Sequence, residues 1–166
     1  MWPVDKEIAI SVAPLLPRSA FATKQACERA SALQLLRRMT GNPDITITHS
    51  PAGAPLAEGF HISVSHCADA VAIALSRSCP VGIDIERPSE RLERLVDRVS
   101  APGEPTEAAP LRRWTAKEAV FKCAGVEGLV LSHIRLDLDA LTAEIPGGRR
   151  FAVHHVEEGI ALAVEI

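Results

Sequence analysis

The sequence is expected to fold as an α+β protein. Short strand-like segments and helical segments occur in both halves of the chain. Of its 166 residues, 47% are hydrophobic and 23% charged, which is globular composition. A chain of this length buries a real core as one domain or two small fused halves. Three closely spaced alternating segments, beginning at Phe60 and ending at Glu86, read as a β-meander.

In chain order, Ile8, Ile10 and Val12 alternate with Ala9 and Ser11, giving a short strand closed by Pro14 and Pro17. Residues 19–39 are helical. Ala22, Ala26, Ala30, Leu33 and Leu36 form the apolar stripe, Ser19 or Thr23 is the N-cap, and Gly41-Asn42-Pro43 ends the helix. Ile45 and Ile47 start another short strand, followed by a turn-rich loop at residues 51–55. The meander strands carry Phe60, Ile62 and Val64, then Val71, Ile73 and Leu75, then Val81, Ile83 and Ile85. Residues 87–99 form a charged helix after Pro88-Ser89, and the proline-rich residues 101–110 form a loop or linker. A second clear helix runs over residues 111–125. Alternation returns at Ile134, Leu136 and Leu138, at Phe151 and Val153, and at Ile160, Leu162 and Val164, as closing strands.

Charge and composition exclude several functions. The net charge of −3 argues against a nucleic acid held by phosphate neutralisation, and 4% aromatics without tyrosine argues against base stacking. No apolar run approaches the ~18 residues of a membrane span. Residues 1–6 lack a basic segment followed by an apolar one, so no export leader is expected. Cys27, Cys67, Cys79 and Cys123 have neither zinc-ligand nor redox spacing. A reducing, cytoplasmic location is the expectation.

Three segments carry chemistry. In Val81-Gly82-Ile83-Asp84-Ile85-Glu86, the branched residues face one way, so Asp84 and Glu86 face the other, about 6.5 Å apart along the strand. Two such carboxylates suit a hard divalent cation such as Mg²⁺, and Gly82 leaves their face uncrowded. The bland alternative is a half-solvated strand with acidic outward residues. In the helix from Trp114 to Lys122, the apolar stripe is Trp114, Val120, Phe121 and Ala124, and Glu118 and Lys122 form an i,i+4 pair beside it. Lys117 falls in the middle of that stripe, where only snorkelling would explain a solvated lysine. The chain has four lysines against fourteen arginines, and two of the four lie here. A compact ammonium suits phosphate. The third segment, Ser63-Val64-Ser65-His66-Cys67, offers hydroxyls and an imidazole for a phosphate. Adjacent strand residues point oppositely, however, so Ser65 and His66 make poor triad geometry.

Together these segments resemble the 4′-phosphopantetheinyl transferase family. Its signature is a Gly-x-Asp-x-Glu strand, a downstream Trp-x-x-Lys-Glu-Ala-x-x-Lys helix and an earlier Ser-His strand. Here these are residues 82–86, residues 114–122 and Ser65-His66. The resemblance implies transfer of the phosphopantetheine arm of coenzyme A to a serine of an acyl, peptidyl or aryl carrier protein, releasing adenosine 3′,5′-bisphosphate. It also implies roles for individual residues. Asp84, Glu86 and Glu118 would hold Mg²⁺ (or Mn²⁺) on the pyrophosphate, Lys122 would bind that pyrophosphate, and Ser65 and His66 would contact coenzyme A phosphates. Arg29 resembles the arginine at the nucleotide end, and Lys117 occupies a signature position counted with the catalytic group. The serine proton would go to Glu118 or a metal-bound water.

More than eighty residues precede the acidic strand, as in the family's longer, surfactin-synthetase-activating-like type. That type implies an intramolecular pseudo-dimer of two similar halves, each a small antiparallel sheet packed on a helix. Here the halves would be residues 1–85 and 86–166, with the site between them in a monomer. Three departures stand out: the family's Gly-Lys-Pro loop reads Gly53-Ala54-Pro55, its usual Asn is Ser63, and the segment before Trp114 is short. They motivate an alternative, a carrier-binding module of the same fold that has lost turnover. A Mg²⁺-dependent phosphohydrolase is the third reading.

Overall fold

The computed structural model describes residues 7–104 and 108–166; residues 1–6, read above for a leader, lie outside them. Two antiparallel sheets pack face to face, each covered on its outer side by a helix. Strand β1 (Ile8–Pro14) is followed by helix α1 (Lys24–Thr40), then by two-residue strands β2 (Thr48–His49) and β3 (Pro55–Leu56). Strands β4 (His61–His66), β5 (Ala70–Ser76) and β6 (Val81–Ile85) lead to the short helix α2 (Glu90–Val96) and to α3 (Pro110–Ala124). The chain closes with β7 (Arg135–Asp137), β8 (Thr142–Glu144), β9 (Arg150–Glu157) and β10 (Ile160–Glu165).

The first sheet has the order β1-β5-β4 and the second β6-β10-β9-β8-β7. Between them lies a core of Ala72, Ala74, Val81, Ile83, Ile85, Leu162 and Val164. Leu35 and Leu36 of α1 pack on Val71, Ile73 and Leu75 across the first sheet. Ala116, Ala119, Val120 and Cys123 of α3 pack on Ala161, Ala163, Phe151 and Val153 across the second. No helix among the described residues is long and apolar enough to cross a membrane.

The expected meander is corrected. β4 and β5 form a hairpin, but β6 leaves them and pairs with β10. Alternation places β6 in a sheet without naming its partner. Here both of its faces are buried, one on the first sheet and the other on α3. At the open edge of β6, the Ile83 and Ile85 amides donate to the hydroxyls of Ser63 (3.0 Å) and Ser65 (3.3 Å) on β4. Side chains of one sheet thus satisfy backbone donors of the other.

The α1 stripe is also corrected. Of the five residues expected, only Leu36 is buried; the inner face carries Cys27, Glu28, Ser31, Ala32 and Leu35. Small polar groups are tolerated there because they bind the backbone of the preceding loop. Leu16 N donates to Ser31 Oγ at 2.9 Å, and Cys27 Sγ donates to Leu16 O at 3.2 Å. Thr23 is the N-cap, accepting from Ala26 N, and Gly41 ends the helix at φ 67°. The short strand expected at Ile45 lies at Thr48–His49, and β8 had no counterpart in the periodicity. The charged helix of residues 87–99 is shorter than expected: α2 begins after its Ser89 cap and ends in a 3₁₀ turn at Asp97–Val99.

Candidate active site

The site forms where β6, β4 and α3 meet. Gly82 is the reason they meet closely: a Cβ there would overlap the Ala119 carbonyl oxygen and lie 2.9 Å from Cys123 Cβ. The glycine therefore serves helix–strand contact, where the sequence reading assigned it to keeping the carboxylate face open. Phe121, expected in the stripe, is instead 38% exposed. Only small residues fit between α3 and β6.

Asp84 sits one strand repeat beyond Gly82, on the same face, and is 4% exposed. Lys122 Nζ donates to Asp84 Oδ1 at 2.7 Å, to Ser65 Oγ at 3.0 Å and to the Ile83 carbonyl at 3.1 Å. The Ser65 hydroxyl donates to the same Asp84 oxygen at 2.8 Å. Asp84 Oδ2 is buried and has no hydrogen-bond partner among the described residues. A half-satisfied buried carboxylate is costly, and a further donor or a cation would offset that cost.

Glu86 and Glu118 complete an acidic group. Glu86 N donates to Gly159 O at 2.9 Å, which ties the end of β6 to the β9–β10 turn. Gly159 has φ 75°, and a Cβ there would strike the Glu86 carbonyl, so glycine is required on both counts. Burial raises the Glu86 carboxyl above its ordinary value, and the nearby Asp84 charge adds to this; Lys122 and His66 oppose it. Glu118 is raised for the same two reasons, burial first and Asp84 second. Asp84 thus acts electrostatically on both Glu86 and Glu118, and Lys122 counters it at each.

His66 points away from this group, as strand alternation requires. Its Nε2 lies 3.4 Å from Glu28 Oε2 on α1. Arg29, exposed on α1, and His66 line one cavity of about 800 Å³, together with Ile47, His49, Gly53 and Pro55 among others. A second cavity of about 460 Å³, lined by Met39, Phe60 and Arg77 among others, holds none of the expected site residues.

Lys117 lies elsewhere. It is fully buried, its Nζ donating to Glu104 Oε2 at 2.7 Å and to the carbonyls of Leu131 and Ile134. Glu104 also accepts from Ala101 N at 2.8 Å. One turn earlier, the buried Arg113 donates to Asp97 Oδ1 at 3.0 Å and to the Ser100 hydroxyl. Snorkelling is thereby excluded: the ammonium stays inside, on a buried carboxylate. Burial lowers the Lys117 pKa, and Glu104 opposes that.

The structure therefore joins Asp84, Ser65 and Lys122 directly, places Glu86 and Glu118 within their field, gathers Arg29 and His66 at the cavity, and sets Lys117 apart. Sequence reasoning missed Glu104 and Glu28. A lysine in an apolar stripe needs a buried counter-charge, and that was the one available signal for Glu104. Nothing distinguished Glu28 from an exposed helical glutamate.

Residues 80–164, just over half of the chain, match the family model of the 4′-phosphopantetheinyl transferase superfamily. The chain belongs to that superfamily. Its members act on carrier proteins with coenzyme A as substrate, so a transferase of the phosphopantetheinyl type is implied. No curated protein matches the sequence significantly. The matched span begins just before β6 and covers Asp84, Glu86, Lys117, Glu118 and Lys122, whereas Arg29, Ser65 and His66 precede it.

Proposed function

We propose that this phosphopantetheinyl transferase moves the phosphopantetheine arm of coenzyme A to a serine of an apo carrier protein and releases adenosine 3′,5′-bisphosphate. The reading is carried by Asp84: a buried carboxylate bound through one oxygen to Ser65 and to the part-exposed Lys122, with its other oxygen unpartnered among the described residues. Glu86 and Glu118, both held above their ordinary pKa by burial and by Asp84, supply further oxygen donors. Oxygen donors of this kind fit Mg²⁺ or Mn²⁺. Among the described residues, no three such side chains are already gathered to hold a metal ion. Asp84, Glu86 and Glu118 are the residues that would do so after side-chain adjustment. A divalent cation bound there would neutralise charge on the pyrophosphate.

The chain's own residues divide the remaining work. The carrier serine oxygen attacks the phosphorus on the pantetheine side, the P–O bond to the nucleotide breaks, and the bisphosphate leaves with the electron pair. Lys122 turns one of its donors from Ser65 or the Ile83 carbonyl to the pyrophosphate oxygens and keeps its charge beside them. Glu118 takes the serine proton, a role suited to a carboxyl whose pKa is raised. Arg29 and His66, on the cavity, take the nucleotide end, and Ser65 holds Asp84 and Lys122 in place. Lys117 is a buried strut rather than a contact to substrate.

We assign the chain to the longer, two-halves type, acting as a cytoplasmic monomer with halves 1–85 and 86–166. Two sheets, each backed by a helix, support two halves, while β6 (Val81–Ile85), in the first half by sequence, pairs within the second sheet. The test is intact-mass spectrometry of a panel of apo carriers incubated with the protein, coenzyme A and Mg²⁺. A phosphopantetheine adduct that disappears with EDTA is expected. Carrier binding without an adduct would favour the module without turnover; phosphate release without a carrier would favour the hydrolase.

A further inference from the structure

The cavity wall carries one acidic side chain, Glu28, and the proposed transfer leaves it without a role. A carboxylate facing a site for phosphates is out of place if it meets the ligand directly. Its surroundings indicate another use. Glu28 is 8% exposed and its Oε1 is buried with no hydrogen-bond donor among the described residues. Lys24, one helical turn earlier, approaches that oxygen at 3.3 Å, but its side chain is 71% exposed and such a pair holds little. The inward partner is His66, whose Nε2 faces Glu28 Oε2 at 3.4 Å, while 44% of the imidazole side chain remains exposed.

A buried carboxylate on one ring nitrogen fixes an imidazole's orientation and its tautomer, and leaves the other nitrogen for a ligand. Here the ring lies beside Glu28 on its α1 side, within reach of a hydrogen bond after a small adjustment, and lines the cavity that also holds Arg29. We propose that Glu28 is a positioning residue: it fixes the His66 imidazole at the cavity wall so that His66 meets the phosphorylated nucleoside end of coenzyme A in a single orientation. This rests on the transferase reading, because it takes coenzyme A as the occupant of the cavity. Glu28 touches the imidazole and not the substrate, so its effect passes through His66 alone.

That dependence gives the test. Coenzyme A binding is measured calorimetrically, without carrier, for wild type, Glu28→Gln, His66→Gln and the double variant. Glu28→Gln should weaken binding about tenfold, a typical loss when an outer-shell partner of a histidine is removed. The loss should vanish in the His66→Gln background, since the two residues act as one unit. An undiminished Glu28→Gln effect in that background overturns the proposal, as does wild-type affinity in Glu28→Gln. Nitrogen NMR of His66 in the unligated wild type tests it without a variant. The expected form carries a proton on Nε2, toward Glu28; a ring protonated on Nδ1 alone overturns it. Failure of the wild type to bind coenzyme A would remove the transferase reading and this proposal together, whereas binding without coupling would remove this proposal only.

Discussion

The two faces of α3 carry the same pair of residue types and treat them oppositely. On one face, Lys122 meets Asp84 with 28% of its side chain exposed. On the other, Lys117 meets Glu104 with both side chains sealed, and backbone carbonyls fill the remaining donor positions of the ammonium. The first arrangement can be reached by a substrate through the exposed part of Lys122. The second is closed to any ligand and ties the Ala101–Glu104 turn, the start of β7 and α3 into one unit. A lysine–carboxylate pair at 2.7 Å is therefore not a functional signal by itself. Asp84 and Glu104 each keep one buried oxygen with no hydrogen-bond partner among the described residues, so access alone distinguishes the two.

Several changes break or sharpen this contrast. The largest effect is expected for Asp84→Ala, which should lower carrier modification at least about 1000-fold by removing the residue that organises Lys122 and Ser65. Circular dichroism should show the fold retained; near-normal turnover would remove Asp84 from the chemistry. On the closed face, Glu104→Ala leaves a buried ammonium without its counter-charge and should cost about 3–5 kcal/mol in urea unfolding. The pair Glu104→Leu with Lys117→Met should recover most of that loss, because a buried ion pair is replaceable by apolar packing.

Lys122→Ala should raise the coenzyme A concentration needed or slow transfer about 10–100-fold; unchanged kinetics would remove it from the phosphate site. The smallest effect is on pH dependence. Glu86 and Glu118 have raised folded-state pKa values, so the folded protein holds their protons longer than the unfolded chain does. Without divalent cation, the contribution of these two groups to stability should be fully present below their ordinary value of 4.5 and be lost as pH rises through the elevated folded values. Asp84→Asn removes the like charge and should flatten that fall in thermal melts.

Much of the fold was legible because periodicity is a local property. β1, β4, β5, β6, β9, β10, α1 and α3 all follow from it. Partner choice was not legible: β6 alternates equally well beside β5 or β10, and only burial on both its faces selects the second sheet. The α1 stripe failed because Cys27 and Ser31 are buried through hydrogen bonds to Leu16, sixteen or fewer residues away but outside any helical pattern. At the site, the acidic strand and the Lys-Glu-Ala helix were legible as residue types at fixed spacing. Their junction through Ser65 was not, since it links residues 57 apart in sequence. Glu104 was hidden in a proline-rich segment whose composition signals only a loop.

The most direct measurement compares two Glu→Gln changes on opposite sides of α3, Glu118→Gln and Glu104→Gln, for unfolding free energy and for carrier modification. Removing Glu118 relieves a buried like charge, so that variant should be as stable as wild type or more so, with transfer reduced about 100-fold or more. Glu104→Gln should lose about 3 kcal/mol of stability by leaving Lys117 uncompensated. Wild-type stability in Glu104→Gln, or wild-type transfer in Glu118→Gln, would contradict the division of α3 into a chemical face and a structural one.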